Sequence, residues 1–309
     1  MRISQYYQFP APANLPFVDV NVLQDNRLFL DPRAIRLDTG HAPHVDQAKR
    51  AMTTFIDEVR SCVLSPDPFT QARGLKLLQD FSEPWQTRLG LAANGFRGHG
   101  GAENVGRWIW DALNTNAGAF RRVALLAQLE DIPLFVEGIA NDITSDLTTR
   151  IVFQALVDFT AQMLNTYPEF STGKHTLKTG PACVWDSHNR TWRDTPAHMP
   201  VANGKELLLV PRTWVTRSLL IHPRRYYEVS VLDYIQDLET VYLKDGEPFT
   251  PRKEDLKARP DLPRTRDFLL NTTLKAADDG VNLLRRFKTF VDERHAPLTD
   301  EQIYRRTAA

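Results

Sequence analysis

Residues 132–150 read IPLFVEGIANDITSDLTTR. The apolar run at 132–138 predicts a strand, and it empties into three acids, Glu137, Asp142 and Asp146, spaced five and four apart. A helix over 147–165 is predicted next, with Ile151, Val152, Ala155, Leu156, Phe159 and Met163 at helical spacing and Ser145 or Asp146 as its cap. A strand opening onto acids at the head of a helix offers hard oxygen ligands to Mg²⁺ or Mn²⁺, which would activate water and neutralise a phosphate. The plain structural alternative is that Asp146 caps the helix, Asp142 forms a turn and Glu137 is a solvated strand end.

On the N-terminal side, FVDVNVLQDNRLFLDPRAI (17–35) predicts two short strands around QDN, closed by Asp31-Pro32. Residues 42–64 carry an amphipathic helical pattern ended by SPDP, and a shorter helix is predicted over 69–80. Residues 81–107 hold six glycines around Arg88, Arg97 and His99 and run into a helix predicted over 103–116. Glycines allow close backbone approach, and a helix start favours anions, so Arg97 and His99 are candidate phosphate contacts. The segment is not GxxxxGK[ST], and a surface loop is its other reading. Trp108 and Trp110 on the following helix are read as core packing, and a further helix is predicted over 118–130.

Downstream, 171–180 reads as a polar linker, ACVWDSHNRTWR (182–193) as a hairpin turning at His188-Asn189, and NGKELLLVPR (203–212) as a turn and a buried strand stopped by Pro211. From about 226 the chain is helical and heavily charged, with seventeen bases and sixteen acids over 213–309, the pattern of a solvated surface rather than a basic arm. The expected fold class is therefore α+β, a mixed α/β core over 1–225 with a small central sheet and flanking helices, and a mostly helical C-terminal extension over 226–309.

Thirty-eight basic residues balance thirty-eight acidic ones, which argues against non-specific coating of nucleic acid. The balance is uneven along the chain. Residues 129–165 hold six acids against one base, and 167–225 hold nine bases against four acids. Facing each other, these would make a metal side and a phosphate side; otherwise they form salt bridges. Only Cys62 and Cys183 occur, too far apart in sequence for a zinc or disulfide framework. No apolar run approaches membrane-spanning length, and the N-terminus lacks the apolar core of a signal peptide, so a cytoplasmic chain without membrane contact is expected.

Two further groups complete the candidate chemistry. KELLLVPR places Lys205, Glu206 and Arg212 around a strand, loosely like the acid and lysine of a PD-(D/E)XK nuclease but without an E-x-K triplet. Asp186, with His188 nearby, serves either as another ligand or as a turn former. Nucleophile-elbow and metalloprotease motifs are absent.

Taken together, FVDVNVLQDNRLFLDP, EPWQTRLGL with its Gly/Arg-rich sequel, LFVEGIANDITSDLTTRIV, VWDSHNRTW and NGKELLLVPR resemble a widespread family of uncharacterised bacterial proteins. Its members read closer to EGIGxDxISDLTTNII and LLLVPK, so this chain departs with Ala140, Arg150 and Arg212. An arginine in place of lysine puts a proton-transfer role at 212 in doubt. The resemblance implies an association with phage-defence gene neighbourhoods. The expectation is a metal-dependent nuclease of prokaryotic antiviral defence, with Glu137, Asp142 and Asp146 on Mg²⁺ or Mn²⁺ and Lys205 and Arg212 on the phosphate. The alternative is a non-catalytic sensor or adaptor that binds nucleic acid or a partner protein of the same operon.

Overall fold

A computed structural model describes residues 1–10, 15–80, 84–90, 99–115 and 126–308. The chain runs through α1 (Ile3–Tyr6), β1 (Phe29–Leu30), α2 (Pro32–Leu37), α3 (His44–Leu64), α4 (Pro68–Gln79), α5 (His99–Thr115), α6 (Ile132–Phe135), α7 (Asn141–Ile151) and α8 (Phe153–Thr166). A long hairpin follows, β2 (Leu177–Asp186) and β3 (Thr191–Ala202), with β4 (Lys205–Glu206) and β5 (Val215–Thr216). The remainder comprises α9 (Pro223–Tyr226), α10 (Leu232–Glu239), the strands β6 (Val241–Tyr242) and β7 (Pro248–Phe249), then α11 (Lys253–Lys257), α12 (Arg266–Asp278), α13 (Leu283–Asp292) and α14 (Asp300–Thr307). Small antiparallel sheets, β1-β5, β2-β3-β4 and β6-β7, are flanked by helices, which makes the fold α+β as the sequence predicts.

The predicted 42–64 helix is α3, and its stripe of Val45, Ala48, Met52, Phe55, Ile56, Val59 and Val63 is buried at three- and four-residue spacing. The hairpin packs on this stripe through two tryptophans. The rings of Trp185 and Trp192 lie 5.1 and 5.7 Å from Phe55, edge-on or tilted. Each indole N–H has a partner inside, Trp185 on Thr54 Oγ1 at 3.0 Å and Trp192 on the Leu77 carbonyl at 3.0 Å. The hairpin turns where the sequence places it, and Asp186 is its turn former, accepting the His188 and Asn189 backbone N–H groups at 2.9 and 3.0 Å.

Four expectations are corrected. Residues 132–135 are a helical turn, not a strand: Pro133 stands in its first turn, where its missing N–H costs nothing, and the Val136 N–H closes on the Ile132 carbonyl at 2.9 Å. The following helix begins at Asn141 rather than 147 and breaks at Val152, so Asp146 is mid-helix and caps nothing. The strand expected over 206–210 stops at Glu206, since Leu208 donates to the Gln86 carbonyl and Leu209 to Thr160 Oγ1 instead of a ladder. Around QDN only Phe29–Leu30 forms a strand, and the bend is organised by Asn26, whose amide donates to the Asn21 and Arg88 carbonyls at 3.1 and 2.8 Å. The helix expected over 118–130 falls largely outside the described residues.

Asp31 is the junction of the core. It ends β1 and caps α2, accepting the Arg33 and Ala34 N–H groups on Oδ1 at 2.8 and 3.3 Å. Its other oxygen accepts Thr216 Oγ1 at 3.1 Å and the Leu220 N–H at 2.7 Å, while its own N–H reaches the Trp214 carbonyl at 2.9 Å. The next aspartate, Asp38, gathers Trp214 Nε1 at 2.7 Å, His41 Nδ1 at 2.6 Å and Thr213 Oγ1 at 3.1 Å. The segment 213–220 is thereby bound along α2.

The C-terminal helices share the apolar core that begins at Ile3. Tyr226 stacks against Phe287 at 5.1 Å and Phe135 at 6.1 Å. Ion pairs cross the same seam: Lys288 Nζ lies 2.5 Å from the buried Asp131, and Arg33 Nε 2.8 Å from the partly exposed Asp292, while Arg36 Nε lies 3.0 Å from the buried Glu130 on the near side. Removing Lys288 would cost about 3–5 kcal/mol, because Asp131 is left buried and uncompensated.

Burial pushes the Asp31 carboxyl from its ordinary 3.8 up to about 6, against the pull of its donors at Leu220, Arg33, Ala34 and Thr216. A carboxyl raised on folding stabilises the fold fully below its unfolded value and loses that contribution as pH climbs through the folded value. Urea titrations of wild type and Asp31→Asn from pH 4 to 7 should therefore show wild type losing about 2 kcal/mol relative to the Asn variant across that window. Parallel pH profiles would show that Asp31 keeps an ordinary pKa.

Candidate phosphate-handling site

The acid helix α7 is set by what its inner face touches. Thr144, Ser145, Leu147, Thr148, Thr149 and Ile151 are buried, and the hydroxyls of Thr148 and Thr149 fold back onto the Thr144 and Ser145 carbonyls at 2.6 and 2.8 Å. Ser145 Oγ accepts the Leu30 N–H at 2.9 Å, so α7 is tied to β1 one residue before Asp31. Asn141 accepts the Leu219 N–H at 3.3 Å, which ties its first turn to the segment that Asp31 holds.

With the inner face fixed, Asp142 and Asp146 stand half-buried one turn apart on α7. Asp142 in the first turn complements the positive end of the helix dipole. Gly90, the last described residue before the undescribed part of the Gly/Arg-rich segment, sits directly beside Asp142: a Cβ built there would meet Asp142 Oδ1 at 2.8 Å. Its φ of +117° suits glycine alone, and its N–H is anchored on the Asn26 carbonyl at 3.0 Å. The acid helix and the mouth of the Gly/Arg-rich segment therefore meet at one place.

The other nominated residues lie elsewhere. Glu137 is exposed after α6 and faces Arg266 of α12, whose guanidinium is lowered by burial while the Glu137 charge opposes that shift. Among the described residues, no group of three or more His, Cys, Asp or Glu side chains is placed to hold a metal ion. Lys205 is exposed on β4, beside a Glu206 that is ion-paired with Lys178. Arg212 is ion-paired with Asp300 of α14. Arg97 lies outside the described residues, and so does the side chain of His99, the first residue of α5.

Two exposed rings escape a sequence reading. Trp110 is buried as expected, but Trp108 is 44% exposed and its ring lies 3.8 Å from where a Gly138 Cβ would be. Trp85, 42% exposed, carries the Arg88 guanidinium 5.3 Å from its ring centre. Burial lowers the Arg88 pKa, and Nη1 donates to the Trp85 carbonyl at 2.9 Å. The dipeptide Pro84-Trp85 and the spacing to Arg88 were visible, but nothing in them distinguishes an exposed ring from a packed one. Arg150, where the resembling family has asparagine, is buried between Phe153 and Trp192 at 5.5 and 5.7 Å.

The chain belongs to the family described as Domain of unknown function (DUF8370), whose profile matches residues 10–222. No curated protein and no solved structure matches it. The match ends one residue before α9, so the α7 face falls inside the family segment and the C-terminal helices outside it.

Gly90→Ala combines an L residue at positive φ with a contact on Asp142, and should destabilise the fold by about 1–3 kcal/mol. Adding Asp142→Ala should recover the contact part and leave the backbone part. A thermal-denaturation double-mutant cycle measures this, and additivity of the two changes would show that the two residues do not touch.

Proposed function

We propose that this family member is a metal-dependent phosphodiesterase, a nuclease of a prokaryotic antiviral defence system. The reading is carried by one observation, the contact of Asp142 with Gly90, which joins a pair of carboxylates to the entrance of a segment bearing Arg97 and His99. Asp142 and Asp146 would hold Mg²⁺ or Mn²⁺ through hard oxygens, and the ion would activate water and offset charge on the phosphate. Arg97 and the backbone N–H groups of the glycine-rich segment would bind the neighbouring phosphates. Glu137, Lys205 and Arg212, nominated by sequence for the same chemistry, have other neighbours and are left out of this site. The defence setting rests on the gene-neighbourhood association of the resembling family.

A second reading, a nucleic-acid-binding sensor or adaptor, is favoured by the exposed rings of Trp85 and Trp108. Stacking on such rings contributes about 1–3 kcal/mol per base and is indifferent to sequence.

Asp146→Asn separates the two. The change keeps side-chain volume at a mid-helix position, so thermal stability should change little. Cleavage of single- or double-stranded DNA or RNA with Mg²⁺ or Mn²⁺ should fall by orders of magnitude, on the order of the contribution of a metal-bound hydroxide. Cleavage that persists in the folded Asn variant removes Asp146 from catalysis. Binding without cleavage by wild type, weakened by Trp108→Ala, establishes the adaptor reading instead.

A further inference from the structure

A cleft of about 580 Å³ lies between the N-terminal segment and α14, within the range of roughly 300–1,000 Å³ typical of small-ligand sites. Arg2, Ser4, Phe9, Phe17 and Asp19 line one side, Ile303 and Tyr304 the other, and the Arg212–Asp300 pair spans it. None of these residues belongs to the α7 face.

Two arginines open on the cleft, each matched by an aspartate, and the two pairs differ. Asp19 is engaged in the wall: it accepts the Ser4 N–H at 2.8 Å and Ser4 Oγ at 2.6 Å, lies 3.4 Å from Arg2 Nη1, and is 18% exposed. Arg212 is likewise built in, with its side chain 21% exposed and its backbone N–H on the Pro16 carbonyl at 3.1 Å. Its partner Asp300 is not: it is the first residue of α14 and 80% exposed. An ion pair with one solvated half is weak, and a guanidinium prefers a phosphate that it can grip through two N–H groups.

The wall also carries aromatic rings. Phe9 is half-buried against Phe17, Tyr167 and Phe170 with ring centres 5.3–6.2 Å away. Tyr304 is 50% exposed, with the Arg2 guanidinium 4.6 Å over its ring. A fixed cation at one point and flat apolar surface beside it match a ligand with a phosphate and a planar ring.

We propose that this cleft binds a nucleoside monophosphate-sized ligand, its phosphate on Arg212 in place of the Asp300 carboxylate and its base against Phe9 and Tyr304. Asp300 then acts as a built-in competitor. Because α14 lies beyond the family-matched segment and Arg212 within it, occupancy also changes how the C-terminal helix is held. The proposal stands apart from the phosphodiesterase reading, since it uses no residue of that site.

Isothermal titration of the full chain with AMP, adenosine and inorganic phosphate tests it. AMP should bind at least about tenfold more tightly than either fragment. Asp300→Asn, which removes the competing charge at an exposed position, should tighten AMP by about tenfold. Arg212→Ala should abolish binding, and Arg212→Lys, a milder change that keeps the charge without the fork, should weaken it. AMP affinity unchanged or lower in Asp300→Asn, retained in folded Arg212→Ala or Arg212→Lys, or absent from both wild type and Asp300→Asn at millimolar ligand overturns the proposal.

Discussion

The buried carboxylate of Asp31 is the constraint on which the rest depends. One side chain ends a strand, starts a helix and holds a segment nearly two hundred residues later, through hydrogen bonds to Arg33, Ala34, Thr216 and Leu220. The β1-β5 pairing, Phe29 opposite Thr216 and Leu30 opposite Val215, is the backbone consequence. From there the chain of placement is short. Leu30 holds Ser145, Leu219 holds Asn141, and α7 is oriented so that Asp142 reaches Gly90. The acid face is thus positioned by a buried acid elsewhere, and a change at Asp31 should act on the site through geometry.

The same junction also reaches the C-terminal helices, which share the buried apolar cluster. Arg33 and Arg36, on the helix that Asp31 caps, meet Glu130 and Asp292 at the seam with α13. Lys288 lies on Asp131 within the same buried set. Charges so removed from water hold register rather than add net stability, since well-packed apolar residues do comparably well there.

Much of the scaffold was legible in the sequence. The α3 stripe, the hairpin turning after Asp186 and the helices beyond 226 follow from periodicity and turn chemistry. The first turn of the quoted stretch was not. A continuous apolar run reads equally as strand or buried helix, and Pro133 in the first turn decides for the helix. The strand reading moved the start of α7 by about two turns and made Asp146 look like a cap. Asp31-Pro32, which closes the predicted strand segment, is also a helix-start signature, an acid before a proline, and caps α2. Of the candidate site, the sequence nominated both acids of α7 but also Glu137, Lys205 and Arg212. Long-range neighbours such as Arg266 and Asp300 decide where those three lie, and no local pattern reports them.

The cation site proposed on the α7 face is open to a direct test. Electron paramagnetic resonance titration of the full chain with Mn²⁺ addresses it without reference to any substrate. The account predicts a bound Mn²⁺ population that is lost in the Asp142→Asn/Asp146→Asn double variant and retained in Glu137→Gln. Equal Mn²⁺ binding by wild type and the double variant, or no bound Mn²⁺ in wild type, would contradict it.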